Sequence, residues 1–140
     1  MNVALRPIDS IKPYPQNPRR NDAAVDAVAR SISSFGFRQP IVVDGDGVIV
    51  VGHTRWKAAA KLGMSAVPVH VATDLSPEKA RAYRLADNRT NEIADWDPDI
   101  LPLELTELKD LGIDLTDLGW SPDDLTEIFA PKGNAGLVDP

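Results

Sequence analysis

Four short apolar runs, separated by segments rich in glycine, proline and polar residues, predict β-strands at 3–8, 40–43, 48–51 and 67–71. The segment 44–47, Asp-Gly-Asp-Gly, predicts a tight turn that joins the second and third strands as a hairpin. The run 48–51, Val-Ile-Val-Val, is apolar on both faces of its strand. We therefore expect it to be the central strand of the sheet.

Helices are predicted where apolar residues recur at helical spacing or where a start signal occurs. Apolar residues at i, i+3, i+4 and i+7 between Asn21, a candidate N-cap, and Gly36 predict the first helix. A second helix at 54–62 follows the third strand directly. Two Ser-Pro pairs and one Asp-Pro pair favour helix starts and predict further helices from 77 to 91 or 94, at 99–111 and at 122–129.

These elements predict an α+β domain over 1–95, a small mixed sheet with packed helices. A helical extension over 96–130 and a linker or disordered tail over 131–140 follow. The net charge of −6 conceals an uneven distribution, because 97–127 holds ten acidic residues and one basic residue. This acidic segment is either a solvated helical surface or a segment that repels or mimics nucleic acid. The linker-like end indicates a fragment of a longer protein.

Composition limits the classes of protein that the chain can belong to. Apolar residues make up 43% and charged residues 26%, as in ordinary globular proteins. The absence of cysteine excludes disulfides, thiolate metal sites and cysteine nucleophiles, and two histidines leave little for a histidine-based metal site. No apolar run approaches the roughly 20 residues of a membrane span, and the start does not resemble a signal peptide. We therefore expect a cytoplasmic protein without membrane contact.

The strongest local signal for chemistry is the junction at Gly52, where a buried strand passes directly into a helix. The first amides of that helix, at 53–55, precede its hydrogen-bond ladder and carry partial positive charge. Thr54 adds a hydroxyl and Arg55 a guanidinium suited to phosphate, so the junction predicts an anion site. The alternative is an ordinary strand-to-helix turn with Arg55 on the surface. Trp56 is expected in the core.

Two weaker signals accompany the junction. Asp87 and Asn88 share a polar helix face with Arg84 and offer oxygen ligands that suit Mg²⁺, although their spacing alone favours the alternative, a helix end rich in capping residues. Arg19 and Arg20 end a proline-rich loop and would either clamp phosphate or remain solvated.

Together these segments resemble, over residues 3–95, the N-terminal domain of the ParB/sulfiredoxin-like superfamily. The matching segments are Asn-Pro-Arg at 17–19, Ser-Ile at 31–32, Gly-Phe-Arg-Gln-Pro-Ile-Val-Val at 36–43, Gly-His-Thr-Arg-Trp-Lys-Ala-Ala at 52–59, Val-Pro-Val at 67–69 and Asp-Asn-Arg at 87–89. The resemblance implies binding of CTP, or in some relatives ATP, with Mg²⁺. The family's Gly-Glu-Arg-Arg box is similar to 52–55, where the first and last residues match and the middle two depart.

Residue by residue, the resemblance implies a nucleotide site and a metal site. It implies nucleotide contacts at Arg19, Arg20, Gln39, Gly52, His53, Thr54 and Arg55, and metal ligation by Asp87 and Asn88. Sulfiredoxin chemistry is excluded because its cysteine is missing. The acidic extension lacks the basic helix-turn-helix of chromosome-segregating ParB proteins and resembles the front of phage and prophage DNA-modification methylases. It contains no methyltransferase motif.

The function predicted from the sequence is therefore a nucleoside-triphosphate-binding regulatory domain, at most a slow triphosphatase. His53 is the only titratable group near neutral pH at the site, and the helix N-terminus favours its neutral form. One alternative is a DNA-binding or nuclease module that follows the phosphate backbone with Arg19, Arg20, Arg30, Arg38, Arg55, Lys57 and Lys61. Another is a protein-interaction domain, including a homodimer, using Leu101, Leu105 and Leu108.

Overall fold

The computed structural model describes residues 1–17 and 22–131, and the chain divides into two compact units with the boundary after Asp95. The predicted N-cap Asn21, the arginine pair at 19–20 and the tail from 132 onward lie outside the described residues. Each unit is described by itself below.

The first unit is built on a four-stranded mixed sheet, which confirms the predicted α+β class. The strands follow the order β1-β4-β2-β3. The β1–β4 and β2–β3 pairs are antiparallel, and the β4–β2 pair between them is parallel. The strands are β1 Ala4–Pro7, β2 Ile41–Val43, β3 Ile49–Val51 and β4 Ala66–Val71.

The prediction that the run 48–51 is the central strand is wrong, because β3 lies at one end of this order. Ile49 and Val50 are nevertheless buried. The outer edge of β3 is covered by the proline-rich segment, since the Ile49 N–H donates to the Lys12 carbonyl at 2.9 Å. Lys12 in turn donates its own N–H to the Gly47 carbonyl at 2.9 Å. A strand that is apolar on both faces is therefore one that neighbouring segments bury. In this fold a strand at the end of the sheet is buried in that way.

Three α-helices and a short 3₁₀ helix complete the first unit: the 3₁₀ helix Ile8–Ser10, α1 Asp22–Phe35, α2 His53–Lys61 and α3 Pro77–Ile93. Ser76 caps α3 by accepting a hydrogen bond from the Lys79 N–H at 3.2 Å. Helix α1 packs against α2, and α3 packs against β3. The N-termini of α1 and α2 and one face of α3 therefore surround the end of β3.

The core of this unit lies between the sheet and α2. Its fully buried side chains include Ile41, Ile49, Val67 and Val69 from three strands, and Ala59 from α2. Alanines at this face let the helix approach the sheet closely. Trp56 packs against the same core, as the sequence predicted. The β3–α2 junction is therefore anchored on both sides by packed residues.

The second unit contains α4 Ile100–Asp110, a 3₁₀ helix Leu115–Leu118 and α5 Pro122–Phe129. Ser121 and Asp124 form a reciprocal capping box at the start of α5. The Asp97 carboxylate accepts the N–H groups of residues 99 and 100, and α4 begins two residues after the Asp-Pro pair. Leu105 is buried within the unit. No described helix has the length and apolar character that crossing a membrane requires.

Candidate functional site

The β3–α2 junction has the geometry of an anion-binding turn. Gly52 is the N-cap of α2 with φ 113° and ψ 25°, a left-handed conformation that side chains rarely adopt. A Cβ at this position would lie 3.1 Å from Arg55 Nη1 and 3.3 Å from Ile41 Cα. The first helical bond runs from the Trp56 N–H to the Gly52 carbonyl at 2.9 Å. The amides of 53–55 therefore precede the ladder of α2, at the positive end of its dipole.

The Arg55 guanidinium is held in place by the loop before β2. Nη2 donates to Gln39 Oε1 at 2.9 Å, and Nη1 donates to the Pro40 carbonyl at 3.4 Å. Burial lowers the pKa of Arg55, and the nearby Asp87 carboxylate opposes that shift. Arginine stays charged at neutral pH despite such a shift. A fixed cation therefore faces the site, with a carboxylate within its electrostatic reach.

His53 connects α2 to the proline-rich loop. Its Nε2 accepts the backbone N–H of Tyr14 at 3.0 Å, so that nitrogen carries no proton. The pKa of His53 is lowered to about 4, mainly by burial and in smaller part by the positive charges of Arg84 and Lys57. The neutral form predicted from the helix N-terminus thus has burial as its main cause. Because Nε2 already accepts this amide, His53 anchors the loop to the start of α2.

Arg84 on α3 also lines the cavity, although it was not among the predicted site residues. It is 8% exposed, and its Nε donates to the Ile49 carbonyl at 3.0 Å. Its guanidinium carbon lies 3.8 Å from the centre of the Tyr14 ring. Nη2 lies 3.8 Å from Asp44 Oδ2. The spacing of Arg84 to Asp87 placed it on the polar face, but periodicity alone gave no sign of its burial.

These elements enclose a cavity of about 410 Å³, within the range of about 300–1,000 Å³ typical of ligand sites. The predicted residues Gly52, His53, Thr54, Arg55, Asp87 and Asn88 line it together. Additional lining comes from Asn17, Ala23, Ala24, Val28, Val50, Val51, Arg84 and Asn91. Gln39 is exposed and reaches the site only through its bond to Arg55. Arg19 and Arg20 lie outside the described residues.

Asp87 and Asn88 bring oxygen donors into the same cavity as the junction. Both are half-buried on α3 and line the cavity together with the start of α2. One carboxylate and one amide oxygen form a small donor set that suits Mg²⁺ when phosphate oxygens and waters complete the octahedron. Among the described residues, no group of three or more His, Asp or Glu side chains is placed to hold a metal by itself. The pair therefore fits a metal that arrives with a phosphate ligand.

The model of the ParB N-terminal domain matches residues 2–89 of this chain. The chain belongs to the ParB N-terminal domain family. Its match to the ParB-like nuclease domain-containing protein YnaK of Escherichia coli is 35% identical over 80 residues, 56% of this chain and 92% of YnaK. A probable plasmid-partitioning protein ParB of Thermus thermophilus is 34% identical over 136 residues, 95% of this chain and 43% of its own length. The chain thus spans less than half of that partitioning protein.

Solved structures share the fold. The C-terminally truncated ParB of Caulobacter crescentus, complexed with CTP-γ-S, superposes with a TM-score of 0.74 at 23% identity. That match covers 91% of this chain and 77% of the other. Sulfiredoxin of Arabidopsis thaliana has a TM-score of 0.50 at 25% identity, over 59% of this chain and 97% of sulfiredoxin. The ParB/sulfiredoxin-like fold inferred from the sequence is confirmed.

Proposed function

We propose that residues 1–95 bind a nucleoside triphosphate, CTP or ATP, together with Mg²⁺. The observation that carries the proposal is the cavity at the start of α2, where Arg55 and the helix amides face Asp87 and Asn88. A polyphosphate satisfies both sides of this cavity, because its oxygens accept from the amides and guanidinium while also ligating a metal. The fold shared with a ParB complexed with a CTP analogue supports the same ligand class.

Each residue then has a distinct role. Gly52 allows close approach of the phosphates to the backbone, and Thr54 and Arg55 donate to phosphate oxygens. Arg19 and Arg20 would clamp the phosphate tail. Asp87 and Asn88 would ligate Mg²⁺, which supplies charge neutralisation. No general base is assigned, so any hydrolysis is slow.

We further propose that the domain regulates a larger DNA-processing protein, either by changing contacts with a fused domain or by pairing with a second copy. Relatives with partitioning names are two to three times the length that this chain matches. A ParB of similar fold was solved with the centromeric parS site, which supports DNA as a partner of the whole protein. The acidic segment 97–127 is the basis for proposing a phage DNA-modification methylase as that protein.

Calorimetric titration of the full chain with CTP, ATP and GTP, each with and without Mg²⁺, tests this function. We expect heat with CTP or ATP and tighter binding with Mg²⁺. Arg55→Ala is expected to weaken the binding, whereas Arg30→Ala, at an exposed arginine on α1, leaves it unchanged. No heat with any nucleotide at millimolar concentration refutes the proposal.

A nuclease is the second candidate, because the relative YnaK carries a nuclease domain in its name. Among the cavity-lining residues, Asp87 is the one carboxylate, whereas a two-metal nuclease needs several. Incubation of supercoiled plasmid with the protein and Mg²⁺ discriminates the two functions. Cleavage that Asp87→Asn removes would favour the nuclease; intact plasmid alongside measurable nucleotide binding would favour the first proposal.

A further inference from the structure

We infer that Arg84 is the positioning residue of this site: it joins α3, β3 and the Tyr14 loop, and so aligns the metal-binding side of the cavity with the phosphate-binding side. The inference rests on the proposed function, because it assigns Mg²⁺ to α3 and phosphate to the start of α2. Beyond that function, it assigns to one buried guanidinium the alignment of the metal-binding side of the cavity with the phosphate-binding side.

The position of Arg84 makes it the junction of three segments. It lies one turn before Asp87 on α3, on the same helix face. Its bond to the Ile49 carbonyl reaches β3, the strand that ends immediately before Gly52. The Arg84 side chain thus connects the helix that carries Asp87 to the strand that leads into Gly52.

The contact with Tyr14 brings in the third segment. The guanidinium stacks on the Tyr14 ring at 3.8 Å, while the Tyr14 backbone N–H donates to His53 at 3.0 Å. Tyr14 is therefore held from its ring by α3 and from its backbone by α2. The loop continues to Asn17, which lines the cavity. Displacing the ring would release this wall of the site.

Burial of a guanidinium requires this set of partners. Arg84 is the only buried charged residue among those the structure describes. A buried charge is costly unless it is paired and hydrogen-bonded. A buried arginine therefore adds little to the stability of the fold, and its partners indicate that it fixes a specific geometry. Lysine would keep the charge but not the planar group that donates to a carbonyl while it stacks on a ring. The arrangement is therefore specific to arginine.

The first test measures how strongly Mg²⁺ and CTP assist each other's binding. Calorimetry gives the CTP affinity with and without Mg²⁺ for wild type, Arg84→Met, Arg84→Lys and Tyr14→Leu. Arg81→Met is the matched control, because Arg81 is an exposed arginine one turn earlier on α3. In wild type and the control we expect Mg²⁺ to raise CTP affinity by a factor of about 5–150, the usual size of such coupling.

In the Arg84 and Tyr14 variants we expect that factor to fall towards one. A merely structural role would lower the melting temperature and leave the factor unchanged in the folded protein. If Arg84→Met does not fold, as judged by circular dichroism, Arg84→Lys and Tyr14→Leu decide the question. A full Mg²⁺ factor in folded variants overturns the inference, as does a wild type that binds CTP without any Mg²⁺ factor. A wild type that binds no nucleotide overturns the proposed function itself.

The second test needs no nucleotide and examines the loop contact directly. NMR titration of the His53 ring is compared between wild type and Tyr14→Leu, which keeps both nearby cations, Arg84 and Lys57. If the stacked ring holds the loop, its loss exposes His53 and moves the His53 pKa up from about 4 towards 6.5. Tyr83→Leu, at an exposed tyrosine on α3, leaves the pKa unchanged. An unchanged pKa in Tyr14→Leu overturns the inference.

Discussion

Replacing Gly52 by alanine separates the two demands that the β3–α2 junction places on this residue. One demand is conformational, because φ is +113°. The other is spatial, because the new Cβ would lie 3.3 Å from Ile41 Cα and 3.1 Å from Arg55 Nη1. The Arg55 side chain is able to move away, but the Ile41 backbone belongs to the central part of the sheet.

Gly63 provides the matched control, because it also has positive φ, +75°, but has no atom within 4 Å of an added Cβ. Gly63→Ala therefore introduces only the conformational cost, about 1–2 kcal/mol for a left-handed residue with a side chain. Gly52→Ala adds the cost of crowding in a packed region, about 1–3 kcal/mol. We therefore expect Gly52→Ala to lower the free energy of unfolding by about 2–5 kcal/mol, which is the sum of these two ranges.

Urea denaturation followed by circular dichroism measures both variants, and calorimetry with CTP and Mg²⁺ measures binding. Gly63→Ala is expected to bind like wild type, because it lies at the far end of α2. Gly52→Ala is expected to lose binding, since its methyl group displaces Arg55 and blocks approach to the amides. Equal destabilisation of the two variants, together with unchanged binding in Gly52→Ala, would refute the close-approach argument.

Three further predictions concern the same residues and the second unit. Lowering the pH from 6.5 to about 4 should destabilise the first unit, because unfolded His53 takes up a proton at 6.5 and folded His53 only at about 4. The pKa shift corresponds to about 3.4 kcal/mol, which solvent screening of this half-buried group reduces to about 1–2 kcal/mol. Urea denaturation at several pH values should show that the free energy of unfolding of His53→Asn depends less on pH than that of wild type. Arg55→Ala should weaken CTP binding about 10–100-fold by removing charge-assisted hydrogen bonds, as isothermal calorimetry measures, and an unchanged Kd would contradict its role. Ser121→Ala should lower the free energy of unfolding of the second unit by about 1 kcal/mol in urea, because the capping box of α5 is lost; Thr126→Ala, later in α5, serves as the comparison.

The helix boundaries were readable from local signals. The prediction of 122–129 agrees with α5, because serine capping and proline at the first turn act within a few residues of one another. The start of α2 was predicted one residue late, since Gly52 itself serves as the N-cap. The two 3₁₀ helices were not predicted, because such short turns have no periodicity of their own.

Local sequence patterns determined that a strand passes through Gly52 into a helix. They also determined that Arg55, Asp87 and Asn88 carry groups suited to phosphate and a metal ion. Both could be predicted because glycine conformation, helix polarity and ligand type are properties of a few adjacent residues. Only the tertiary structure decided that β3 lies at the sheet edge, that His53 receives the Tyr14 amide, and that Arg84 is buried across three segments. The hydrogen bonds of His53 and Arg84 join residues 39 and 35 positions apart, and hydrophobic periodicity carries no information about which distant segment covers a given face.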